Sequence, residues 1–166
     1  TEIHLMDRLF GRILQILRDM DLMDSTLIVV TADHGEELLD HGFVGHASTS
    51  LQAKLYEELV HIPLIISWPG RVPGGTVWSH PVSQIDLLPT ILRLLDLPMP
   101  EGVQGQDLFE PLPNRALYFE SAVAGNQTPR ERENEWIRGV RKGRFKYLSD
   151  GRLFDSLGSV PPCAGG

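Results

Sequence analysis

Between Val30 and His46 the sequence reads VTADHGEELLDHGFVGH, which sets the carboxylates of Asp33, Glu36, Glu37 and Asp40 among the imidazoles of His34, His41 and His46. Carboxylate and imidazole together suit a divalent metal, and imidazole also serves as an anion contact or proton donor near neutral pH. Asp33 and His34 are adjacent, so on an extended chain they point to opposite faces. One ion can meet both only if the backbone turns, which Gly35 permits. Two ligands do not close a coordination shell, so the others must come from elsewhere. The competing reading makes Asp33 a helix cap and His34 a surface residue. His41 and His46, five apart in a glycine-punctuated loop, are candidates for anion contact or proton donation, although loop histidines often have no such role. So many acidic groups are hard to reconcile with an unaided phosphate-binding loop, and a cation among them removes the difficulty.

The elements that must position this cluster follow from periodicity. Ile3, Met6, Leu9, Phe10, Ile13, Leu14, Ile16, Leu17 and Met20 recur at helical spacing, which predicts one amphipathic helix over 2–20 with Gly11 as its weak point. Asp24 and Ser25 mark a turn. The run TLIVVTA, 26–32, is short, β-branched and continuously apolar, as expected of a parallel strand covered on both faces. Ligands of open α/β sheets gather at the carboxyl ends of such strands, which is where Asp33 and His34 fall. A helix is expected over 51–60, then a second buried-type strand, PLIISW at 63–68, stopped by Pro69-Gly70. Ser83 and Asp86 stand at capping-box spacing ahead of the helical run LLPTILRLLDL, with Pro89 tolerated near its first turns. The character then changes. ALYFE, EWIRGVRKG and GRFKYL are short strand candidates, with a hairpin turn at RKGR. The order predicts an α/β layered sheet over 1–114 and a small antiparallel subdomain with its tail over 115–166.

A chain of 166 residues, 42% hydrophobic and 22% charged, has the composition of a globular protein. Its formal charge of −7 argues against a nucleic-acid or anionic-membrane partner held by general electrostatics, but not against a small anionic substrate met by a local cation. No apolar run approaches the roughly 20 residues of a membrane span. The lone cysteine, Cys163, cannot form an internal disulfide, and its VPPCAGG setting offers no base to activate the thiol. The opening TEIHLMDRL is already in helical period without an initiator Met, so the natural start is expected upstream and the compartment is not legible.

Taken in order, TLIVVTADHGEELLDHG, GH, LYEELVHIPLIISWPGRVPGG and VSQIDLLPTILRLLDLP resemble the C-terminal half of a sulfatase, a member of the alkaline-phosphatase-like superfamily of metal-dependent ester hydrolases. EIHLMDRLFGRILQIL resembles the helix before the metal strand of that family, and GVRKGRFKYLSDGRLFD its small C-terminal sheet, so the resemblance runs from about residue 2 to 155. It implies a partial α/β/α sandwich. It also implies that Asp33 and His34 complete a divalent cation site, usually calcium, with manganese or zinc as alternatives. His46 stands where many members place a Lys or His on the ester's anionic group, and His41, in the HG element, is a weaker candidate. Glu57 and Glu58 fall in a mainly structural segment, and His61, often Arg in the family, reads as packing or a surface contact. The link ASTSLQAK is longer than usual, which makes Lys54 an alternative to His46 as the anion-contacting cation.

The family's nucleophile is a Cys or Ser in C/S-x-P-x-R, converted to formylglycine, and the resemblance implies that it lies upstream of the half this chain matches. The N-terminal acidic metal ligands of the family are absent too, and the VPPCAGG ending departs from its pattern. The expectation is therefore a fragment of a sulfate ester hydrolase, inactive by itself, whose substrate is a small-molecule or glycan sulfate or phosphate ester. Two alternatives remain: a phosphodiesterase or phosphonate monoester hydrolase of the same superfamily, and a non-catalytic remnant domain without a nucleophile.

Overall fold

The computed structural model describes residues 2–42, 44–46, 54–110, 114–122 and 136–155. The ASTSLQA part of the long link, the start of the helix expected at 51, and the cysteine-bearing tail lie outside them. The residues group into two compact units, Thr1–Ala32 with Pro63–Trp78, and Asp33–Ile62 with Ser79–Gly166.

In the first unit the amphipathic period produces helix α1, Glu2–Asp19. Its last turn closes through Leu22 N–H to Leu17 O at 2.8 Å and Asp21 N–H to Arg18 O at 3.0 Å, with Asp21 at φ +56. This is a Schellman stop in which a short polar residue takes the left-handed position usually given to Gly. None of the α1 residues is buried, and Ile3, Met6, Ile13 and Ile16 are among its exposed apolar side chains.

The TLIVVTA run forms β1, Ile28–Thr31, and PLIISW forms β4, Leu64–Ser67. They pair with Ile28 opposite Ser67 and Thr31 opposite Leu64. The pairing is antiparallel, which corrects the expectation of a parallel strand. An uninterrupted apolar run reports burial on two faces and carries no information on direction. The Trp68 indole N–H donates to Asp24 O at 3.0 Å, tying the end of β4 to the turn before β1.

In the second unit the polar stretch is not an unstructured loop. It contains a two-residue ribbon, β2 (Glu37–Leu38) against β3 (Val44–Gly45), reversing through Leu39 and Gly42 at positive φ. Among the described residues of the helix expected over 51–60, one turn forms, α2, Glu57–Val60. Tyr56, extended at ψ 164, precedes it, and Lys54 and Leu55 lie outside any helix because their side chains are drawn into the interior.

Asp86 accepts the Ser83 N–H at 2.8 Å, as the capping-box spacing predicts, and one 3-10 turn at Gln84–Asp86 leads into α3, Leu87–Leu94. The C-terminal region is the antiparallel sheet β5 (Ala116–Ala122), β6 (Trp136–Lys142), β7 (Phe145–Leu148) and β8 (Leu153–Asp155), paired in that order. The hairpin at RKGR is formed, with Gly143 at φ +58 in the first central position, where a II′ turn demands it. Leu55, Ile137 and Leu148 form the core of this unit, with Val60, Phe119 and Phe154 packed against them. The mixture of helices and sheets closing on a small antiparallel sheet is the α/β class expected.

Candidate metal and anion site

The ribbon explains how residues ten apart meet. Its register pairs Glu37 with Gly45, so the preceding Glu36 falls opposite His46. The Nδ1 of His46 lies 2.9 Å from Oε2 of Glu36. A carboxylate accepts, so the Nδ1–H donates. The ring of His46 lies 4.3 Å, centroid to centroid, from that of His34.

His34 is fixed by its own backbone. Its Nδ1 is 2.8 Å from Gly35 O, and since a carbonyl only accepts, the proton is on Nδ1 and the Nε2 lone pair is available to a cation. That Nε2 is 3.7 Å from Oδ2 of Asp33, whose side chain is 89% exposed. Asp33 also accepts the His34 N–H at 3.0 Å, the contact that turns the two side chains toward one side. The alternative role for Asp33, a cap on a following helix, fails because β2 and not a helix follows it. Gln84 donates from Nε2 to Asp33 O at 3.2 Å.

Gly35 acts differently from expectation. Its N–H donates to Leu59 O at 2.9 Å, and an added Cβ would stand 1.8 Å from Glu58 O. The glycine serves close approach of two backbones, not a left-handed turn.

His41 is built into the floor beneath this group. Its Nδ1 is 3.1 Å from Oε1 of Glu37 and 3.9 Å from Oε2 of Glu58, and its ring stacks on Tyr56 at 3.9 Å. Glu37 is completely buried, and its second oxygen receives the Lys54 ammonium at 2.8 Å. Lys54, itself buried, thus points at a carboxylate.

Glu57 bonds Arg141 at 2.5 Å and Lys146 at 2.8 Å, which is a structural role tying α2 to the sheet. Partial burial pushes its carboxyl up, but the hydrogen bond and charge of Lys146, with Arg141, outweigh this and hold it below the ordinary value. His61 is exposed.

Sequence reasoning did not single out Glu36 or Glu37. The signal was the near-symmetric placement of Glu36-Glu37 and Gly45-His46 about the DHG turn, read as a hairpin instead of a loop.

Comparison with known proteins bears on this site. Residues 1–97 match the sulfatase family profile, and residues 51–149 match that of the C-terminal region of N-sulphoglucosamine sulphohydrolase. The chain is 30% identical over 169 residues to arylsulfatase K of Canis lupus familiaris, covering 90% of this chain and 29% of that protein. It is 29% identical over 175 residues to arylsulfatase K of Homo sapiens, covering 93% of this chain and 30% of that protein. It therefore spans about three tenths of the length of the curated relatives it matches. Among solved structures, phosphonate monoester hydrolase of Agrobacterium radiobacter superposes with a TM-score of 0.71 at 28% identity, over 89% of this chain and 32% of that one. A protein solved in complex with its substrate D-glucosamine-2-N,6-O-disulfate gives 0.68 at 26% identity, over 89% and 31%.

Proposed function

The chain belongs to the sulfatase family, and from that premise we propose that it supplies the metal-holding and anion-contacting part of the active site of a sulfate ester hydrolase. The observation that carries this is the position of His34, whose Nε2 is 3.7 Å from the Asp33 carboxylate and whose ring is 4.3 Å from that of His46.

The residues fit a divalent cation. Asp33 offers an exposed carboxylate and His34 an Nε2 lone pair whose proton partner is fixed by Gly35 O. These are the hard and borderline donors such an ion takes, and calcium is the first choice, with manganese or zinc as alternatives. When bound, the cation supplies charge screening and orientation of the ester.

His46 is the residue of this chain that meets the ester's anionic group. Glu36 orients its ring through Nδ1. His46 takes precedence over Lys54, whose ammonium is spent on buried Glu37. His41 acts one step back: stacked on Tyr56 and bonded to Glu37, it holds the ribbon in place beneath the reacting face. In this reading the nucleophile comes from outside this chain: its S-x-P-x-R string, 67–71, begins at the end of β4, where Ser67 pairs with Ile28 of β1. The division at about residue 114 belongs to the same reading as a boundary along the sequence, ahead of the small sheet, whose Ile137 and Leu148 share a core with Leu55.

The substrate in this reading is a sulfated small molecule or glycan, the class bound by the relative solved with a glucosamine disulfate. The likeness to a phosphonate monoester hydrolase makes phosphonate esters the second reading. Parallel assays of aryl sulfate and aryl phosphonate esters, with the protein that carries this chain and its Asp33→Ala form, decide between them. Hydrolysis of the sulfate that depends on Asp33 supports the first reading, and hydrolysis of the phosphonate alone supports the second.

A further inference from the structure

We propose that His34, Glu36 and His46 form a site for a transition-metal ion of the zinc class, a ligand set different from the Asp33–His34 pair and sharing only His34 with it. Each of the three offers a donor atom, and these atoms all lie within 4.8 Å of one another. No other such group occurs among the described residues.

The donors are held in place before any ion arrives. The β2–β3 register sets Glu36 against His46 at 2.9 Å, and the Gly35 N–H bond to Leu59 O at 2.9 Å anchors the backbone next to His34. The His34 tautomer leaves Nε2 as the donor. All three side chains are partly exposed, so an ion reaches them directly from solvent.

The chemistry of the set then selects the ion. Two imidazoles and one carboxylate are the composition of three-ligand zinc sites that keep a fourth position open. Calcium takes six to eight oxygens and gains little from two ring nitrogens. Zinc-class ions bind imidazole well and accept about four ligands, so a water completes the shell. The inference rests on the proposed function only in the sharing of His34. Zinc at this set withdraws His34 from the Asp33 pair and His46 from the ester, so the two occupancies compete.

The test is titration of the full chain in a Cys163→Ser background, which removes the lone thiol, with Zn2+ alone and separately with Ca2+. Wild type is expected to bind one Zn2+, with affinity falling by ~10-fold or more in Glu36→Gln and in His46→Gln and by less than ~3-fold in Asp33→Asn. A second reading needs no further variant: 15N spectra of ring nitrogens should shift for His34 and His46 on adding Zn2+ and stay put for His4, His61 and His80. Absence of saturable Zn2+ binding, a loss in Asp33→Asn as large as in Glu36→Gln, or shifts at other histidines would overturn the proposal. Failure of the Ca2+ response to depend on Asp33 counts against the hydrolase reading and leaves the zinc site standing.

Discussion

The ammonium of Lys54 and the carboxylate of Glu37 meet at 2.8 Å, with 5% of the first side chain exposed and none of the second. This pair, with His41 on the other oxygen of Glu37, locks the ribbon that carries Glu36 and His46 to the chain entering α2. Removing one partner leaves a charge in the interior, which costs far more than the pair contributes when intact. Lys54→Met should lower stability by about 3–5 kcal/mol, and the Glu37→Gln/Lys54→Met double form by clearly less than the sum of the single changes. Denaturant unfolding of the four proteins in the cycle measures this. A double form as destabilised as the sum would show that the two groups do not act as a pair.

Asp86 is a second buried carboxylate with a different task. It accepts from Ser83 N–H at 2.8 Å, from Gln106 N–H at 2.9 Å and from Arg115, so one side chain closes the capping box of the 3-10 turn leading into α3 and fixes the loop after that helix. Asp86→Asn removes the charge and turns a donor toward at least one N–H. The expected loss is about 3 kcal/mol. The midpoint of unfolding should fall at unchanged slope.

Gly35→Ala should destabilise as strongly as a core truncation, about 2–4 kcal/mol, because its Cβ would stand 1.8 Å from Glu58 O and break the bond to Leu59. Hydrogen exchange at the Gly35 amide should lose its protection in parallel. Gly42→Ala is a control with open space around it, where the strain comes only from a φ of +78.

Glu57 gives a pH signature. Lys146 and Arg141 hold its folded-state pKa below the ordinary 4.5 despite partial burial. A depressed carboxyl contributes stability that is present above the unfolded value and disappears as pH falls through the folded one. Between pH about 5 and the folded pKa, wild type should therefore lose stability more steeply than Glu57→Gln, and the two curves should run parallel above pH about 6. Acid titration followed by circular dichroism reads the difference.

The fold was legible where periodicity is strong and physics is local. The α1 stripe, the Ser83–Asp86 spacing and the RKGR hairpin all appear in the sequence as they do in the structure. Strand direction was not, because the apolar run of β1 describes what covers a strand and says nothing of its neighbour's sense. Of the helix expected over 51–60, residues 54–56 are not helical, and the buried carboxylate that binds Lys54 is a tertiary partner invisible to a local pattern. At the proposed site, residue type and resemblance suggest Asp33, His34 and His46, and the structure sets His34 beside each of the other two. Glu36 and Glu37 could not be named in that way, since their roles depend on the register of a two-residue ribbon. The same ribbon sets His41 against Glu37, a contact that spacing along the chain does not reveal.

The central claim is that the face built by Asp33, His34 and His46 holds the cation and meets the ester. Steady-state hydrolysis of an aryl sulfate by the protein that carries this chain, with calcium varied, measures it most directly. Asp33→Ala and His46→Ala should each lower kcat/KM by ~100-fold or more, with calcium dependence lost in the first and retained in the second. Turnover within about twofold of wild type in Asp33→Ala, with unchanged response to calcium, would contradict the account.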